Sequence, residues 1–171
     1  KNQRENNAYK KLLNSTTNNI SVIKTTTIAS QTPDIYAKSI FIRAGKDHGV
    51  LEDFAVINER GLVGKVISLS EKNSRIILIN DQNLSVPVTT MSKNFNAIIT
   101  GTVDGKYLTS SFLKDEKKPK IGDILITSGN AKIFPRDILV GKVIKVSEDS
   151  FLALPYVDFN NLEFVQVINI K

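Results

Sequence analysis

From Ile20 onward, aliphatic and β-branched residues alternate with polar ones in short runs. That period of two is the mark of half-buried strands. "SIFIRAG" (39–45), "FAVIN" (54–58), "RIILIND" (75–81), "SVPVTTM" (85–91) and "NAIITGTV" (96–103) are such runs. "DILITSG" (123–129), "FLALPYV" (151–157) and "LEFVQVINI" (162–170) continue the series. Turn-forming clusters separate them at intervals of about eight to twelve residues, which predicts an all-β sandwich or barrel. Only the opening differs. Ala8, Tyr9, Leu12 and Leu13 share one helical face, so residues 1–20 are read as a short N-terminal helix or the C-terminal end of a coiled coil.

The pattern also repeats. "GLVGKVISLSE" begins at Gly61 and "ILVGKVIKVSE" at Ile138, with Leu62 matching Leu139 at an offset of 139 − 62 = 77 residues. That spacing exceeds a solenoid repeat and suits a small β domain. Upstream, "GVLEDFAVI" and "PKIGDILIT" extend the match and pair Asp53 with Asp123, an offset of 123 − 53 = 70. The chain therefore reads as two related barrels, divided near residue 95: 21–95 and 96–171. The stretch 151–171 is a candidate to return and complete the first, which would make the second an insertion. Gly64 and Gly141 fall inside strands, where glycine marks a bulge or tight corner. Gly61, Gly101, Gly122 and Gly129 are assigned to turns or bulges in the same way.

Composition narrows the function. The 171 residues are 41% hydrophobic and include no cysteine, one histidine and no tryptophan. Disulfides and thiolate metal sites are thereby excluded. No apolar run is long enough to span a membrane as a helix. The chain opens at Lys1 without an initiator methionine, and is read as a piece of a longer protein. A net charge of +6 would suit an acidic partner, but the basic residues are scattered among 17 acidic ones. The one dense basic run, "KDEKKPK" (114–120), contains two acids and a proline and reads as a solvated loop.

Two barrels invite a chymotrypsin-like reading, in which His48, beside Asp47, is the candidate general base. A triad also needs a serine near oxyanion donors. No Gly-x-Ser-x-Gly or Gly-Asp-Ser-Gly stretch occurs, and Ser74, Ser128 and Ser150 have ordinary turn explanations. No catalytic, cofactor or metal site is expected. "IGDILITSG…ILVGKVIKV" carries the turn chemistry of a KOW-like barrel, which would bind RNA through basic and aromatic surface groups, with Phe112, Phe134 and Phe151 as the aromatics to place. The candidate protein contact is Ile133-Phe134-Pro135-Arg136, an apolar run in a polar loop. Phe134 would serve there as an anchor, or else would plug one end of a barrel.

The ordered series Gly61-Leu62-Val63-Gly64, Ser74-Arg75 leading to Asp81, Val86-Pro87-Val88 and Gly101-Thr102 resembles the extracytoplasmic region of rod-shape-determining protein MreC. Gly122-Asp123 before Ser128-Gly129, then Phe134-Pro135 and Val140-Gly141-Lys142-Val143, complete the series. The likeness runs from about Ser39 to Val146. It departs at Asn130-Ala131-Lys132, where the family leads us to expect glycine. The resemblance implies a cytoplasmic tail, one transmembrane helix absent from this chain, a coiled coil, and two protease-like barrels without a triad on the outer face of the bacterial inner membrane. It also implies a non-enzymatic scaffold of cell elongation, with no cofactor and no nucleic-acid ligand. Its partners would be MreB (through the missing N-terminal part), MreD, the elongation-specific penicillin-binding transpeptidase and other copies of itself.

Overall fold

The computed structural model describes residues 20–31, 38–111 and 117–170. The helix expected over 1–20 lies outside the described residues up to position 19, and Ile20 already begins a strand. The described residues form twelve strands: β1 (Ile20–Ser30), β2 (Ser39–Ile42), β3 (Ala55–Asn58), β4 (Gly61–Leu69), β5 (Ser74–Leu78) and β6 (Val86–Thr90). They continue as β7 (Asn96–Gly101), β8 (Leu108–Ser111), β9 (Ile124–Thr127), β10 (Leu139–Val146), β11 (Ser150–Pro155) and β12 (Phe164–Ile170). β8, whose "LTSS" carries almost no apolar pattern, has no counterpart in the sequence reading.

The strands close into two rings, β1-β12-β3-β4-β5-β2 and β10-β11-β8-β7-β6-β9. Counting β6 as first, the second ring runs first-second-third-sixth-fifth-fourth. The first ring has the same order only if β12 is counted as its first strand. The second barrel is thus set between β5 and β12 of the first. This corrects the division near residue 95. β6 pairs with β7 and β9, not with the first barrel, whose corresponding place is filled by β12 between β1 and β3. Of the 151–171 stretch, β11 stays in the second barrel and β12 belongs to the first. β12 is paired on both sides, with β1 along its length and with β3 at Gln166–Ile168, so "LEFVQVINI" is not an open edge strand.

Each barrel is filled from inward-facing alternate positions. Ile40, Ile42, Leu62, Ile76, Val165 and Val167 are fully buried in the first. In the second, the rings of Phe95 and Phe151 meet edge to face at 5.8 Å and 79°. Gly64 and Gly141 are required by close approach. A Cβ on Gly64 would lie 1.9 Å from the carbonyl oxygen of Ile77, and one on Gly141 would lie 2.7 Å from that of Leu154. Register slips place an extra residue beside each, Val63 and Val140. The bulges expected at these glycines are present.

Candidate partner-binding surface

The loop 128–138 joins β9 to β10, and its form is dictated by Thr127. The Thr127 hydroxyl donates to the carbonyl of Pro135 at 2.6 Å and accepts from the Ile138 N–H at 2.9 Å. The Asp137 N–H closes the loop onto the Thr127 carbonyl at 3.0 Å. Thr127 is fully buried, and nothing in its sequence surroundings marks it as the organiser. The four expected contact residues therefore separate. Phe134 (2% exposed) and Pro135 point into the protein, while Ile133 (39%) and Arg136 remain accessible. Phe134 is core, not a surface anchor: the loop turns its ring into the buried hydrophobic cluster. Ala131, Lys132 and Asp137 adopt left-handed backbone at φ 61°, 54° and 68°. Glycine is the residue that takes this conformation without strain, and the family resemblance led us to expect it here.

Two grooves lie between the barrels. The smaller, about 370 Å³, brings Lys132, Ile133 and Pro135 against Glu52–Ala55 and Ile168–Ile170 of the first barrel. The larger is a cleft of about 920 Å³. Lys38, Arg60 and Asn80 line it from the first barrel and its exit, Lys106 and Leu154 from the second. Leu154 is 49% exposed and gives the cleft an apolar wall. Asp104 and Asp158 edge it, both held below the ordinary carboxylate value. For Asp104 the Thr102 hydroxyl is the chief cause, with the Lys106 N–H second; for Asp158 it is the Asn161 side-chain amide, then the Asn160 N–H. Both stay charged at neutral pH, so the cleft presents cations and anions around an apolar strip.

The remaining candidates have structural roles. His48 Nδ1 accepts the N–H of Gly45 at 3.1 Å within a 3-10 turn. Ser74 donates to the carbonyl of Ala44. Both are thereby committed to backbone. Among the described residues no group of three His, Cys, Asp or Glu side chains is placed to hold a metal ion, and no helix is long and apolar enough to cross a membrane. Of the aromatics weighed for RNA stacking, Phe134 and Phe151 (1% exposed) are core, and Phe112 lies outside the described residues. Buried rings cannot stack on bases.

Two closed barrels with grooves shared between them define a double-barrel β platform. Comparison with known proteins says which one: the chain belongs to the MreC family. The model for "Rod shape-determining protein MreC, barrel core" matches residues 28–169. The cell shape-determining protein MreC of Bacillus subtilis is 31% identical over 160 residues, covering 84% of this chain and 55% of its own. That of Caulobacter vibrioides is 28% identical over 169 residues, covering 99% and 49%. The chain spans about half the length of the curated relatives it matches. Among solved structures, MreC of Pseudomonas aeruginosa superposes with a TM-score of 0.76 at 24% identity, covering 86% of this chain and 98% of that one. MreC of Helicobacter pylori, solved in complex with penicillin-binding protein PBP2, does so at 0.65 and 16%, covering 86% and 98%. These two agreements are of fold.

Proposed function

We propose that this chain is the extracytoplasmic binding part of a non-enzymatic scaffold for cell elongation. It docks the outer domain of a penicillin-binding transpeptidase and associates with other copies of itself. The observation that carries the reading is the family membership together with the complex formed by the Helicobacter pylori relative. The inter-barrel grooves support it, because they offer an apolar strip flanked by charges of both signs, the usual make-up of a protein interface. The same reading includes contact with MreD, and contact with MreB and a single membrane anchor through an N-terminal part outside this chain. Of the four expected contact residues, Ile133 and Arg136 are the two able to reach a partner, beside the exposed Asn130, Ala131 and Lys132 of the same loop.

The test is a titration of this chain against the outer domain of the host's elongation transpeptidase at physiological salt, with single-stranded RNA in parallel. Saturable binding to the transpeptidase and none to RNA is the expected result. Binding to RNA alone, falling steeply with salt, would overturn the scaffold in favour of the RNA-binding alternative.

A further inference from the structure

The two copies of the repeat differ at their first position: Gly61 begins one and Ile138 the other. Ile138 is buried at 3% exposure. A side chain at Gly61 has nowhere to go. Its Cβ would stand 2.3 Å from the carbonyl oxygen of Leu139, the first residue of β10. The starts of β4 and β10, equivalent strands of different barrels, therefore meet backbone to backbone. A second meeting of this kind lies at the segment 79–85, where the chain passes from one barrel to the other. A Cβ on Gly101 of β7 would be 1.9 Å from the carbonyl oxygen of Asn80. The next residue, Asp81, is buried, and its carbonyl accepts the Gly101 N–H at 3.2 Å. Its carboxylate accepts the N–H groups of Lys38 and Asn83. Backbone contacts of this kind cannot relax by changing rotamer, as a side-chain contact can.

Both grooves described above straddle this seam. In the closed rings every described strand has a neighbour on each side, which favours recognition through side-chain relief over pairing of backbone edges. We infer that Gly61 and Gly101 are positioning residues, which hold the barrels in one mutual pose so that a partner protein recognises a single surface spanning both. The identity of that partner, the outer domain of a penicillin-binding transpeptidase, rests on the function proposed above; the pose does not.

The absence of cysteine makes the pose measurable. Lys72→Cys and Asp149→Cys place spin labels at equivalent exposed turns of the two barrels. Gly61→Ala and Gly101→Ala are then compared with Gly122→Ala, whose Cβ would meet nothing within 4 Å although its φ is 95°. That control isolates left-handed strain from contact across the seam. In the two seam variants the label separation is expected to shift by about 1 Å or more, the displacement needed to bring 2.3 Å to an ordinary contact. Transpeptidase affinity is expected to fall about tenfold or more, with both quantities unchanged in Gly122→Ala. An unchanged separation in the folded seam variants overturns the seam. A shifted separation with full affinity overturns the composite surface. No binding by the unsubstituted chain, with the shift still present, defeats the functional reading and leaves the seam standing. Should Gly61→Ala not fold, Gly101→Ala carries the test, because its backbone is open to any residue.

Discussion

In the first barrel, β3 passes to β4 through Glu59 and Arg60 alone, with Asn58 Oδ1 accepting the N–H groups of Arg60 and Gly61 at 2.9 and 3.2 Å. In the second, the equivalent step from β9 to β10 takes the whole of 128–138. The flanking strands nevertheless agree residue for residue. Ala55 pairs with Lys65 as Ile124 pairs with Lys142, and Gly64 with Leu78 as Gly141 with Pro155. Extra residues occur at Val63 and Ile67 in β4, and at Val140 and Ile144 in β10. Bulges turn the strand around the barrel and are bound to the ring's geometry, whereas a connection need only bring two ends together. A barrel can therefore vary its loops but not its corners.

The pairing also corrects the match drawn from sequence. Asp53 and Gly122 donate to the equivalent carbonyls of Val66 and Val143, and both have positive φ, 70° and 95°. The offset upstream is thus 122 − 53 = 69, and the partner of Asp53 is Gly122, not Asp123. Two aspartates that look alike in the sequence occupy different places in the turn.

The difference between the barrels can be broken most severely at the long loop. Phe134→Ala removes a ring buried in the hydrophobic core and should cost about 3–5 kcal/mol, read as a lower denaturant midpoint. Partner binding at a temperature where the variant remains folded should be kept, since Phe134 offers no surface; lost binding there would restore it as an anchor. The corners come next. Gly64→Ala should destabilise by about 3 kcal/mol and Gly141→Ala by about 1–2, because the added methyl meets a carbonyl at 1.9 Å in one and 2.7 Å in the other. Equal midpoints would show that the two corners are not packed differently. Smaller, and of opposite sign, Ala131→Gly should stabilise by about 0.5–1 kcal/mol: relief of left-handed strain exceeds the added chain entropy, and the exposed methyl is not missed.

Acid should have the least effect. The carboxyls of Asp104 and Asp158 have folded pKa values below their ordinary ones. Their contribution is therefore fully present above the ordinary carboxylate pKa of about 4 and is lost as pH falls through the lower folded values. Both groups are fully exposed, so the loss is slight. Asp104→Asn and Asp158→Asn together should reduce the acid limb of a stability–pH curve slightly, and an unchanged limb would assign it wholly to other carboxylates.

By itself the sequence determined the class of fold, the repeat and the corner glycines, because period-two alternation and a glycine inside a strand are local consequences of backbone geometry. The ordered series from Gly61 to Val143 likewise indicated the MreC family without reference to shape. Tertiary structure decided what depended on which strand lies beside which. The gap between β1 and β3 is filled by β12, nearly the whole chain away, and this moved the boundary from residue 95 to the stretch between β5 and β6. Phe134 became core because the buried Thr127 hydroxyl turns the loop inward. Gly61 is glycine because a carbonyl from the other barrel occupies the place of its side chain, a contact between residues 61 and 139 that no local pattern records.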